Sequence, residues 1–167
     1  MAWGKNGTPT TLGSAADVLT ISDLNSNIFN MFMVHGFGDA AGVRNTGNDI
    51  TFNSNTNTVY AVRYSLGGTA DSTVESQAEI YTRGNRDYGF FEISYVGAVI
   101  GEEKLMILFH VNESNSGAGT APVRSEIYAK FVPSPDAPLT RIDYDESDED
   151  GTTSYDTNSN LSALGTD

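Results

Sequence analysis

The clearest hydrophobic pattern in the chain lies between Glu102 and Val132. From Leu105 to Val111 every position except His110 is apolar, which predicts a strand covered on both faces or one deep in a sandwich. From Val123 to Phe131 the pattern changes to alternation. Val123, Ser125, Ile127, Ala129 and Phe131 share one side, and Arg124, Glu126, Tyr128 and Lys130 share the other. Period two predicts one buried face and one wet face. The small residues from Asn115 to Pro122 form the loop between these runs.

The remaining runs are shorter but of the same kind. Val18 to Ile21 predicts a first strand. Ile28 to Gly36 is apolar at both parities apart from Asn30 and His35; its length, β-branched and aromatic content and flanking Asn and Gly favour a buried strand over a helix. Asp49–Asn53 and Val59–Ser65 predict two strands joined by the turn residues 54–57. Gly67-Gly68 breaks the chain, and Glu75–Thr82 reads as one further strand. Gly89–Ile100 pairs with the run after Glu103 through Gly101, which supplies a positive φ. Pro133, Pro135 and Pro138 mark a rigid connection unfit for a central strand. Leu139–Asp145 alternates again, and Leu161–Leu164 closes the sheet. With about nine or ten strands and no amphipathic helix, we expect an all-β, two-sheet sandwich, jelly-roll-like. Residues 1–16 read as an extended N-terminal arm, 17–167 as one domain, and 156–167 as an extended C-terminal segment. Trp3 either packs into its own core, the first reading, or docks into a neighbour.

Composition narrows the partners. The 167 residues include 9 Lys and Arg against 22 Asp and Glu, a formal net charge of −13. That balance argues against nucleic acid, whose phosphates require clustered cations, and against anionic membranes. No apolar run approaches the ~20 residues of a membrane span. Without cysteine there is no disulfide framework or thiol chemistry. The opening Met1-Ala2-Trp3-Gly4-Lys5 lacks a signal-peptide core, so we expect synthesis in a host cytoplasm. Sequons at Asn6, Asn112 and Asn160 are chance matches in an Asn-rich chain.

Candidate chemistry is sparse. Asp143 to Gly151 is the densest acidic run, and Glu146, Asp148, Asp150 and Gly151 partly imitate a calcium loop. Glu stands where the first Asp belongs, however, and Thr157 where the bidentate Glu belongs. Calcium on Asp145, Asp148 and Asp150 is therefore the lesser reading, and a solvated hairpin tip the plainer one. His35 and His110 sit inside apolar strands with no ligand spacing for zinc. Glu92, Glu102, Glu103 and Glu126 are the only carboxylates placed for glycoside hydrolysis, and nothing marks two of them as converging. Gly117-Ala118-Gly119 lacks the length and the Lys of a phosphate loop; its small residues suit close packing. The expectation is therefore a protein without catalytic residues, cofactor or metal.

Four blocks add a resemblance. They are Met1-Ala2-Trp3-Gly4-Lys5, Glu102-Glu103-Lys104-Leu105, the loop from Ala118 to Arg124, and the segment from Asp156 to Asp167. In this order they resemble a family of small virion-associated proteins from marine tailed phages and environmental viral sequences. The resemblance implies a structural virion protein, a capsid decoration or cement protein on the head surface. Its implied partners are copies of itself, as a trimer, and other virion proteins such as the major capsid protein. The alternative is a host-glycan-binding fibre or adhesin-type module. Interface candidates are Trp3, Gly117, Gly119, Pro122, Arg124, Leu161 and Leu164. The acidic run is longer than the family pattern.

Overall fold

A computed structural model describes residues 2–25, 28–37, 47–83, 89–113, 118–146 and 155–167. Among these residues there are thirteen strands and no helix. In chain order they are β1 (Gly4–Lys5), β2 (Thr10–Thr11), β3 (Val18–Ile21), β4 (Phe29–Gly36), β5 (Gly47–Phe52), β6 (Tyr60–Leu66), β7 (Ser72–Gln77), β8 (Ile80–Arg83), β9 (Phe90–Gly97), β10 (Lys104–Asn112), β11 (Val123–Phe131), β12 (Ile142–Glu146) and β13 (Asn160–Thr166). They form two antiparallel sheets. The larger runs β1-β13-β4-β9-β10-β11-β6-β7, with β2 also on β13; the smaller runs β3-β12-β5-β8. This is the expected all-β sandwich, with very unequal layers.

Alternating side chains of both sheets meet in one core. Phe32, Val34, Phe90, Leu108, Ile127 and Phe131 come from the large sheet, and Leu19, Ile21, Ile50, Phe52, Ile80 and Ile142 from the small one. At one end the Tyr60 and Phe131 rings stack with centroids 4.9 Å apart, and Phe52 lies 5.5 Å from Phe131. The Tyr60 hydroxyl accepts from the Phe52 amide at 2.9 Å and donates to the Asn55 carbonyl at 3.0 Å. Gly36 is dictated by packing: a Cβ there would fall 2.1 Å from the Phe90 ring.

Several sequence expectations change. Glu75–Thr82 is two strands, because the chain leaves the edge of the large sheet after Gln77 and joins the edge of the small one at Ile80. β7 is an exposed edge strand with no buried position, so periodicity gives no mark of the crossing. The C-terminal segment is an interior strand, since β13 has β4 on one side and β1 and β2 on the other. The N-terminal segment belongs to the same sheet and is not a free arm. Asn6 is fully buried; its amide donates to Asn30 Oδ1 and its Oδ1 accepts from the Asn25 amide, both at 2.7 Å. Trp3, expected first in the core, is 48% exposed.

The largest departure concerns cover on both faces of Leu105–Val111. Its register on β9 and β11 is continuous, yet only the inward residues Met106, Leu108 and His110 are covered. Leu105, Ile107 and Phe109 are 61%, 42% and 43% exposed. The strand is covered on one face, because the small sheet lies on one side of the large one and no other element of the described chain lies on the other.

Candidate functional site

Two constellations stand out, one inside the sandwich and one on its outer face. The inner one is a polar seam. β9 and β10 pair Glu92 with His110, and both side chains point between the sheets. Glu92 Oε1 accepts from Asn48 Nδ2 at 2.7 Å and from Thr82 Oγ1 at 3.0 Å, and meets His110 Nδ1 at 2.7 Å. The Tyr155 hydroxyl donates to Asn48 Oδ1 at 2.7 Å. The Phe90 ring stacks on the His110 imidazole with centroids 5.7 Å apart. Burial pushes the Tyr144 hydroxyl far above its ordinary range, and the nearby Glu92 charge adds to that. The three bonds converge on Glu92 Oε1 and tie the two sheets together, while Glu92 Oε2 and His110 Nε2 are buried without a hydrogen-bond partner among the described residues. Glu92, Asn48 and Tyr155 are closed to solvent, so a substrate would have no route to them without opening the sheets.

The seam was only partly legible. Glu92, Ser94, His110 and Asn112 interrupt apolar runs at inward parities, and that was the available signal. Asn48, Thr82 and Tyr155 come from distant strands and a bridge to Ala16, which no local pattern connects.

Two of the carboxylate candidates, Glu92 and Glu126, are not brought together. Glu92 faces inward on β9 and Glu126 outward on β11, so the sheet separates them. Glu103 is exposed and reaches Lys130 at 3.2 Å. The histidines are divided in the same way, His110 inward and His35 outward beside Phe37, ring centroids 4.5 Å apart. Of the calcium candidates, Asp145 is exposed on β12, while Asp148 and Asp150 lie outside the described residues. Among the described residues no group of three or more His, Asp or Glu side chains is placed to hold a metal. Asp143, at the head of the acidic run, is committed to structure. Burial alone would raise its pKa; the Arg141 guanidinium at 2.7 Å and the Thr20 and Ser54 hydroxyls outweigh this and hold it below the usual carboxylate range.

The interface candidates divide. Leu161 is fully buried in the core and unavailable to a neighbour, because its parity on β13 points inward. Leu164 has the opposite parity and lies beside Met31 of β4. Arg124 is exposed on β11, and Gly119 and Pro122 are exposed on the loop before it. Gly117 lies outside the described residues.

These outward positions belong to a larger feature. Along β4 the outward side chains are Phe29, Met31, Met33 and His35; along β9 they are Phe91, Ile93 and Tyr95; along β10 they are Leu105, Ile107, Phe109 and Val111. Register aligns them into rows. Met31, Tyr95, Ile107 and Tyr128 form one row across four strands, and Met33, Ile93, Phe109 and Glu126 form the next. Exposed single hydrophobics are ordinary, but a contiguous apolar face beyond a few hundred Å² marks a binding surface. The sequence places these residues on strands; of the two readings for Leu105–Val111, a strand deep in the sandwich agrees with β10, and cover on both faces does not.

Comparison with protein-family models, with curated proteins and with solved structures finds no match for this chain.

Proposed function

We propose that this protein is a non-catalytic structural component of an assembled particle, working through its outer sheet face. In line with the sequence resemblance, the particle is a phage virion and the position a decoration or cement layer on the head. The observation carrying this reading is the apolar outer face of β4, β9 and β10, which in water is a standing cost of about 25 cal/mol per Å² until a partner covers it. The burial of Glu92 and His110 between the sheets supports it further, since their contact joins β9 and β10 inside the core.

The exposed rings of Phe91, Tyr95, Phe109 and Tyr128 are the one observation that favours a glycan-binding module. The rings adjoin Met31, Met33, Ile93 and Ile107 in the centre of the face, and polar groups meet them only toward its sides, Glu126 beside Phe109, Arg63 beside Tyr128 and His35 beside Phe91. Assembly is the better fit. The test is residue-resolution imaging of native particles, with density for this chain expected on the head surface. Particles lacking the chain, or a location at a fibre tip with glycan-array binding, would overturn the assignment.

A further inference from the structure

We infer that the occupant of the outer face is a second copy of this chain, packed sheet to sheet about a two-fold axis parallel to the strands and between β9 and β10. This rests on the assembly reading above and names its first partner.

The size is right for a pair. The outer face crosses six adjacent strands from β13 to β6. Five spacings of ~4.8 Å by six residue steps of ~3.4 Å give a core footprint of roughly 24 by 20 Å. Side chains reaching past the outermost strands carry that footprint toward the roughly 800 Å² per partner of a standard interface. A flat face is covered completely by one other flat face, so the geometry favours a pair over the trimer expected from sequence. Sheets packed this way lie ~10 Å apart, their strands within about 30° of each other.

Charge selects the same partner. The chain carries −13, yet among the described residues these six strands hold only Arg63, Arg124, Lys130 and Glu126 as outward charged side chains. Each cation already has an acid of its own chain: Arg63 with Asp71 at 3.6 Å, Arg124 with Glu126 at 3.4 Å and Lys130 with Glu103 at 3.2 Å. The face is thus close to neutral on a strongly acidic molecule, and it offers an acidic or basic partner little to attract it. It is also the surface on which two copies repel least. These four charges lie on β11 and β6, one flank of the apolar centre, while the opposite flank on β13 is Asn160, Ser162 and Leu164, with Lys5 of β1 beside Leu164 at its margin and Glu75 of β7 at the far margin. A two-fold axis along the strands sets β6 and β11 of each copy over β13 and β4 of the other, so like charges do not meet. An axis across the strands would set the cationic flank on itself. An isologous contact needs such self-complementarity.

The experiment uses the purified full chain alone. Sedimentation velocity over a concentration series should show twice the chain mass at about 10 µM, within the range expected for such interfaces. Ile107→Lys and, separately, Tyr95→Glu should each give a monomer that unfolds cooperatively, at the midpoint the parent reaches when diluted to monomer. Hydroxyl-radical footprinting of the unmodified chain should protect Met31 and Met33 as concentration rises, with buried Met106 protected throughout; this readout stands even if a variant fails to fold. A monomer at ~100 µM, or a dimer without protection of Met31 and Met33, overturns the inference. Dimerisation by a chain absent from particles would sink the virion assignment alone; a monomer found on particles would sink only the pairing.

Discussion

Tyr60 and Tyr144 show what single buried residues contribute and when that contribution ends. Burial pushes the Tyr60 hydroxyl up to about 12, against the opposing hydrogen bond from the Phe52 amide, and places Tyr144 well above its ordinary value. The neutral phenol is the form the sandwich accepts. Above the ordinary tyrosine pKa of about 10, the unfolded chain releases protons that the folded chain keeps. Stability is therefore fully present below pH ~10 and falls as pH rises through 12, by about 3 kcal/mol for the shift of Tyr60. Urea unfolding between pH 8 and 11.5 should show a flat midpoint to about pH 10 and then a decline. Tyr144→Phe should make the decline shallower, since Phe has no proton to lose. A decline of equal steepness in Tyr144→Phe would show that the loss lies elsewhere. The Glu92 seam beside Tyr144 explains why the alkaline response belongs to the core. An ionised phenol there would join a carboxylate already in the same low-dielectric space.

The terminal strands carry the argument at the level of elements. β1 and β2 cover the outer edge of β13, and the segment around them makes specific bonds: the Asn6 amide to the Ala163 carbonyl at 3.0 Å, Leu12 to Ser159 at 2.9 Å, and Asn160 Nδ2 to the Thr10 carbonyl at 3.0 Å. Gly7 permits the entry, with φ of +68° and the Ile21 side chain 2.5 Å from where a Cβ would sit. Removing residues 1–12 takes the Asn6 side chain from Asn30 and bares the edge of β13. We expect a loss of roughly 2–4 kcal/mol in urea unfolding, with edge-to-edge aggregation on warming. A deletion variant with the parent's midpoint would restore the picture of a free arm. These elements also measure what the sequence disclosed. Apolar runs located β4 and β10 and period two located β11, each within a residue or two, β9 was placed with its end three residues long, and the glycines and asparagines located the turns, Gly101 included at φ +88°. Pairing across large sequence separations stayed hidden, because β1 finds β13 through backbone bonds that leave no side-chain signature. Cover on both faces of Leu105–Val111 fails for a different reason. A strand apolar at both parities does ask for two covers, and the single chain supplies one.

For the whole molecule, the missing cover and the charge give opposing forces whose balance can be read with salt. Two copies each carrying −13 repel over the Debye length, about 10 Å at 0.1 M salt and about 30 Å at 0.01 M. The outer face contributes little to that repulsion, because Arg63, Arg124 and Lys130 are each balanced by an acid of the same chain. Attraction there is apolar burial, which salt does not screen. Raising salt from about 20 to 300 mM should therefore tighten self-association, on the order of several-fold in dissociation constant. An association driven by the cationic flank of one copy meeting the acidic remainder of another would respond in the opposite sense, weakening as the charges are screened. Such a head-to-tail contact would also leave a face free at each end and grow into longer species. Sedimentation equilibrium at the two salt concentrations separates these cases. A closed dimer strengthened by salt fits burial of β4, β9 and β10 against their own copies, and open-ended species weakened by salt would move the contact to the β11 and β6 flank.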